Sequence, residues 1–143
     1  MYLLDINVLL ALCDEAHEFH EVAWTWFTPR RAKGWVTCPL TENGFLRILG
    51  HPAHPSRLGS LEGAREILDG LCQSEGHRFW ADEVSVRNRS QFPELAQVTP
   101  KTLTDVYLLG LAAMKKARFA TFDRRVNARI VMGGSHALEV ISQ

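Results

Sequence analysis

What this sequence lacks narrows it before anything else does. Its three cysteines, Cys13, Cys38 and Cys72, lie far apart with no C-x-x-C pair, so they read as reduced, mostly buried thiols of a cytoplasmic protein. It has no net charge, since 16 Lys+Arg balance 16 Asp+Glu. A uniformly basic nucleic-acid binder is therefore not expected, although local patches of either sign stay open. No apolar run approaches the roughly 20 residues that cross a bilayer. Met1-Tyr2-Leu3-Leu4-Asp5 has no basic flank, so no signal peptide is expected either. Gly133-Gly134 lacks the lysine and the spacing of a phosphate loop. Ser56, Ser60 and Ser85 have no nearby His–Asp arrangement for serine hydrolysis. Internal repeats and low-complexity tracts are missing too. What is present is a 143-residue chain with 46% hydrophobic and 22% charged residues, the size and make-up of one globular domain spanning 1–143.

Short apolar runs alternate with helical patterns. Tyr2-Leu3-Leu4 reads as a buried strand ending at Asp5, and Ile6 to Leu12 as a helix beginning beside it. Apolar residues recurring at three- and four-residue steps predict a helix over His17 to Phe27, stopped by Pro29. Trp35-Val36-Thr37 is a second strand, after which Pro39 opens a helix running to Leu49. Leu61 to Leu71 is helical, Arg78-Phe79-Trp80 a third strand, and Thr102 to Lys116 the strongest helix. Arg118 to Phe122 and Leu138 to Ile141 complete about five strands, while Asp82 to Pro100 aligns with nothing regular. The expected fold is α/β, a three-layer sandwich around a mainly parallel central sheet.

In such a sheet ligands bind beyond the carboxyl ends of the strands, and four acids fall there. Asp5 closes the first strand, Glu42 lies in the first turns of the helix after the second, Asp105 opens the long helix, and Asp123 follows the fourth strand. Each has a structural explanation taken singly. Asp5 can cap the next helix, Thr102-Leu103-Thr104-Asp105 nearly matches a capping box, and Asp123 can be a turn residue with an arginine partner. Together they suggest more, because clustered carboxylates repel unless a cation holds them. Oxygen ligands without His or Cys between them suit Mg²⁺ or Mn²⁺. Arg47, Arg124, Arg125 and Arg129 form a nearby basic rim suited to phosphate. The combined chemistry is metal-assisted phosphodiester hydrolysis.

These residues resemble a PIN-domain ribonuclease, specifically a VapC-type toxin of a type II toxin–antitoxin system, over nearly the full chain. The likeness is carried by Leu3-Leu4-Asp5-Ile6-Asn7, by Thr37-Cys38-Pro39-Leu40-Thr41-Glu42-Asn43-Gly44-Phe45, by Thr104-Asp105-Val106-Tyr107, and by Ala120-Thr121-Phe122-Asp123-Arg124-Arg125. It implies Asp5, Glu42, Asp105 and Asp123 as the catalytic acids and as ligands of Mg²⁺ or Mn²⁺, with Asn7 and Thr121 orienting them or a phosphate oxygen. Arg47, Arg124 and Arg125 would contact the substrate. The implied activity is endoribonucleolytic cleavage of RNA leaving a 5′-phosphate and a 3′-hydroxyl. The implied partners are a cognate antitoxin and a second copy of the chain.

Other constellations are weaker. His17 with His20, and His51 with His54, lack the further ligands a zinc site needs. Trp24, Trp26, Phe27 and Trp35 are expected mostly in the core or at an interface, where an apolar groove would receive the antitoxin's helix. Trp24 and Trp26 face alternate ways and are not both expected to point inward. Two other readings compete: a non-catalytic binding module whose acids are helix caps, and an aspartyl-nucleophile phosphatase with Asp5-Ile6-Asn7 as a degenerate D-x-D.

Overall fold

A computed structural model describes residues 1–142. Five short strands, β1 (Tyr2–Leu4), β2 (Trp35–Thr37), β3 (His77–Phe79), β4 (Arg118–Thr121) and β5 (Leu138–Val140), form one sheet in the order β3-β2-β1-β4-β5. Every pairing is parallel. Parallel strands need covered faces, and the side-chain alternation supplies two. Leu4, Trp35 and Ala120 point into one core, and Leu3, Val36 and Phe119 into the other. Helices α1 (Ile6–Cys13), α2 (His20–Phe27), α3 (Pro39–Leu49) and α4 (Leu61–Cys72) cover the first face, while α5 (Leu103–Met114) and the short α6 (Gly134–Ala137) cover the second. Helices on both faces make the expected three-layer α/β sandwich.

Several boundaries move, each for a local reason. Helix α2 starts at His20 rather than His17. Asp14 Oδ1 accepts from the Ala16 amide and His17 Nδ1 from the Phe19 amide, so residues 14–19 make turns of their own. Thr102 does not cap α5 with its side chain; its hydroxyl bonds back to Thr99 across a 3₁₀ turn over Pro100–Thr102. Strand β3 sits one residue earlier than predicted, in register with Trp35 to Thr37. The stretch 82–100 is anchored by Phe92, whose ring lies where a Cβ on Gly110 would be, 2.3 Å away. Gly110 thus lets the loop pack directly on α5.

Both tryptophans of α2 turn inward, contrary to expectation. Trp26 is buried, its Nε1 donating to Glu139 Oε1 on β5, while Trp24 is half-buried with Nε1 donating to the Leu12 carbonyl. Helix α2 is wedged between α1 and β5, so residues 200° apart on it both meet protein.

Candidate active site

The strand order fixes where the site lies. From β1 the chain builds outward through β2 to β3, then returns to place β4 on the other side of β1. The carboxyl ends of β1 and β4 are therefore the topological switch point, where open α/β sheets bind ligands. Leu4 pairs with Ala120, and the Asp5 amide donates to the Ala120 carbonyl at 2.9 Å. Asp5 and Thr121 are thus brought side by side from positions 116 residues apart.

Thr121 is the hub of this edge. Its hydroxyl, fully buried, donates to Asp5 Oδ2 at 2.6 Å and accepts from Asn7 Nδ2 at 3.2 Å and from the Asp123 amide at 3.0 Å. Asn7 Oδ1 accepts in turn from the Phe122 amide. These three bonds use the donor and both acceptor positions of the Thr121 hydroxyl and tie Asp5, Asn7 and Asp123 together. Asp5, only 4% exposed, also caps α1 through the Ile6 amide at 2.7 Å. The cap and the site are one residue.

Burial pushes the Asp5 carboxyl up to about 7, reinforced by the charges of Asp105 and Asp123. Asp105 is raised as well, by burial and then by Asp123. Asp123 is lowered, chiefly because Arg125 hydrogen-bonds it. The Arg125 fork is bidentate, Nε to Oδ1 at 3.0 Å and Nη2 to Oδ2 at 2.9 Å. Arg125, expected at the substrate, is thus the ion-pair partner of Asp123 in this structure. Arg124 and Arg47 are exposed, with no ion pair among the described residues.

Three of the four predicted acids therefore act on one another, and the fourth has other company. Glu42 Oε2 accepts from the buried Thr37 hydroxyl at 2.7 Å, and Thr37 Oγ1 also lies 2.8 Å from His77 Nε2. Among the described residues, Glu42, Cys72 and His77 are the one group of three His, Cys, Asp or Glu whose ligand atoms all lie within 4.8 Å of one another. The aspartates are more loosely spaced. Carboxylate oxygens of this kind suit Mg²⁺, which keeps several of its waters. Two carboxyls held above their ordinary range, all-oxygen donors and a buried Asp5 form a donor set that a hard divalent cation would relieve.

The Glu42 cluster was not foreseen, because His77 carries no expectation in the sequence and Cys72 only that of a reduced, buried thiol. The four-residue gap between Cys72 and His77 was the available signal. The other histidine pairs bind locally, His20 Nδ1 to the Ala11 carbonyl, His51 Nδ1 to the Ala53 amide and His54 Nδ1 to Ser56.

No protein-family model matches the chain. Curated proteins of Mycobacterium tuberculosis do. Ribonuclease VapC38 (strain ATCC 25618 / H37Rv) is 42% identical over 127 residues, covering 88% of this chain and 87% of that protein. Ribonuclease VapC44 of the same strain is 38% identical over 133 residues, 93% of each, and Ribonuclease VapC39 is 36% identical over 121 residues, 85% of this chain and 87% of that one. At 36–42% identity over 85–93% of the chain, these likenesses establish that the chain belongs to the VapC family of PIN-domain ribonuclease toxins.

Proposed function

We propose that the β1–β4 crevice hydrolyses RNA phosphodiester bonds with a Mg²⁺ or Mn²⁺ ion held by Asp5, Asp105 and Asp123. The observation that carries this reading is Asp5. A carboxylate this buried, pushed up to about 7 beside two further aspartates, costs stability unless a cation compensates it. When bound, the ion supplies polarisation of a phosphoryl oxygen and a water of lowered pKa.

The chain's own groups do the rest. Thr121 and the Ile6 amide fix both oxygens of Asp5. Asn7, half-buried, holds Thr121 and keeps an amide hydrogen for the crevice. Arg125 fixes the Asp123 carboxylate, and the exposed Arg124 and Arg47 attract the RNA backbone. Glu42 is the fourth acid of this reading. It stands at the carboxyl end of β2, the strand next to β1, half-buried and steadied by Thr37. There it would accept the proton of the attacking water.

A cognate antitoxin would dock on the groove of about 540 Å³ between α2 and the edge strand β5, lined by Val22, Thr25, Trp26, Arg30 and Val140. A homodimer is the oligomer expected, and light scattering tests it. Cleavage of total cellular RNA with Mn²⁺ tests the catalytic reading. Wild type should cut and lose activity in chelator, and Glu42→Gln should cut about 100-fold more slowly with an unchanged melting curve. Equal cutting by Glu42→Gln removes that residue from the set. Equal cutting by Asp5→Asn rejects the site.

A further inference from the structure

The side chains gathered on the other side of β1 form a different kind of site. Glu42 comes from the first turns of α3, Cys72 is the last residue of α4, and His77 is the first of β3. Three elements that share no sequence motif thus converge a carboxylate, a thiol and an imidazole within 4.8 Å. All three are half-buried. We propose that Glu42, Cys72 and His77 bind a transition-metal ion of the Zn²⁺ class, distinct from the hard-ion site of the three aspartates and sharing only Glu42 with the catalytic reading.

The chemistry of the donors selects the ion. Thiolate and imidazole are poor ligands for Mg²⁺ and good ones for Zn²⁺, and a single carboxylate completes many mixed zinc sites. Bonds of about 2.0–2.3 Å set the corners of a tetrahedron roughly 3.3–3.8 Å apart. Side chains already within 4.8 Å close to that spacing by small rotations. Binding replaces the Cys72 S–H proton, which leaves to solvent, so the ion's two charges are met by one thiolate and one carboxylate. Water fills the fourth position.

The surroundings are those of a supported site. Thr37, wholly buried, hydrogen-bonds Glu42 Oε2 and His77 Nε2 at once. Since its single proton goes to the carboxylate, it can accept a hydrogen from Nε2 of His77. The Trp35 ring packs on the imidazole with centroids 4.6 Å apart. Such outer partners orient metal-binding histidines and carboxylates. Glu42 also lines a groove of about 620 Å³ with Asn43, Arg65, Phe79 and Asp82, so its carboxylate is reachable from solvent.

The test uses the full chain, reduced, titrated with Co²⁺ as a spectroscopic stand-in for Zn²⁺. Wild type should develop a thiolate-to-cobalt charge-transfer band that one equivalent of Zn²⁺ abolishes. Cys38→Ser, which changes a thiol in the opposite core, and Asp5→Asn should both keep the band. Cys72→Ser should lack it, and His77→Gln should weaken Co²⁺ binding by at least about tenfold. Circular dichroism and melting curves establish that each variant is folded, and RNA cleavage by Cys72→Ser and His77→Gln should match wild type. Absence of the band in wild type, its survival in Cys72→Ser, or its loss in Asp5→Asn overturns the proposal.

Discussion

Two strand ends flank β1, and both are organised in the same way. At β4 the last residue is Thr121, at β2 it is Thr37, and both hydroxyls are fully buried. Each hydroxyl donates to a carboxylate, Thr121 to Asp5 and Thr37 to Glu42. The surroundings then diverge. Around Thr121 stand an amide and three aspartates, all oxygen and nitrogen of a hard character. Around Thr37 stand an imidazole and a thiol. One device, a β-branched residue whose hydroxyl is fixed by the strand it ends, serves two chemistries. The residues recruited from outside the sheet decide which.

The electrostatics separate the two edges in the same sense. At the aspartate edge, burial and like charge raise Asp5 and Asp105, a strain that a cation relieves. At the other edge, burial and then the Glu42 charge push the Cys72 thiol up to about 11, and burial lowers His77. Cys72 in turn adds to the rise of Cys13, which burial takes to about 12. Both thiols thus stay protonated and unreactive at neutral pH without a metal.

The largest expected effect breaks the symmetry outright. Asp5→Asn should lower RNA cleavage about 1,000-fold, the several kcal/mol a metal ion contributes to the transition state, while Cys72→Ser changes it by less than twofold. Initial rates on one RNA substrate measure both.

Next comes stability. Thr121→Val strands the Asp5 carboxylate, the Asn7 amide and the Asp123 amide, and Thr37→Val strands Glu42 and His77. The unfolding free energy from denaturant titration should fall by about 1–3 kcal/mol in each variant. Both should also slow cleavage, Thr121→Val by more than tenfold and Thr37→Val, which loosens the Glu42 carboxylate, by less.

Smaller, and more diagnostic, is the response to pH. Folded Asp5 holds its proton up to about 7, against 3.8 for an ordinary aspartate. Over that window the folded chain binds more protons than the unfolded one, so stability is full below about pH 4 and falls as pH rises towards 7. Melting temperature in chelator should decline across this range, and excess Mg²⁺ should flatten the decline. A melting temperature that is level in chelator would detach Asp5 from the cation argument.

The smallest effect concerns Arg125. Arg125→Ala frees Asp123 but removes a mostly exposed ion pair, so stability should change by less than about 1 kcal/mol. Mg²⁺ should bind slightly tighter by calorimetry, since the competing guanidinium is gone.

Much of this was legible in the residues. Asp5, Asp105 and Asp123 sit at element boundaries that short-range signals mark well: an apolar run ended by an acid, a helical stripe, a strand followed by a turn. Glu42 was assigned to the right helix and the right strand end. Its companions could not be read, since nothing in the sequence tells that Thr37 turns its hydroxyl towards residue 77 rather than towards Asp5. The histidine pairs at short spacing hydrogen-bond to nearby backbone or serine groups, whereas His77 and Cys72 belong to the one group of three potential ligands within 4.8 Å of one another among the described residues. Local spacing is a poor guide where ligands arrive from separate elements.

Composition and periodicity alone determined that this chain makes an α/β sandwich, because apolar runs of three or four residues between amphipathic helices have no other way to bury both faces. They also determined which residues stand at strand ends. The return of the chain across β1 decided which of those ends become neighbours. Hydrogen-bond register, fixed only when β4 docks beside β1, then set Asp5 against Thr121 and left Glu42 to the thiol and the imidazole.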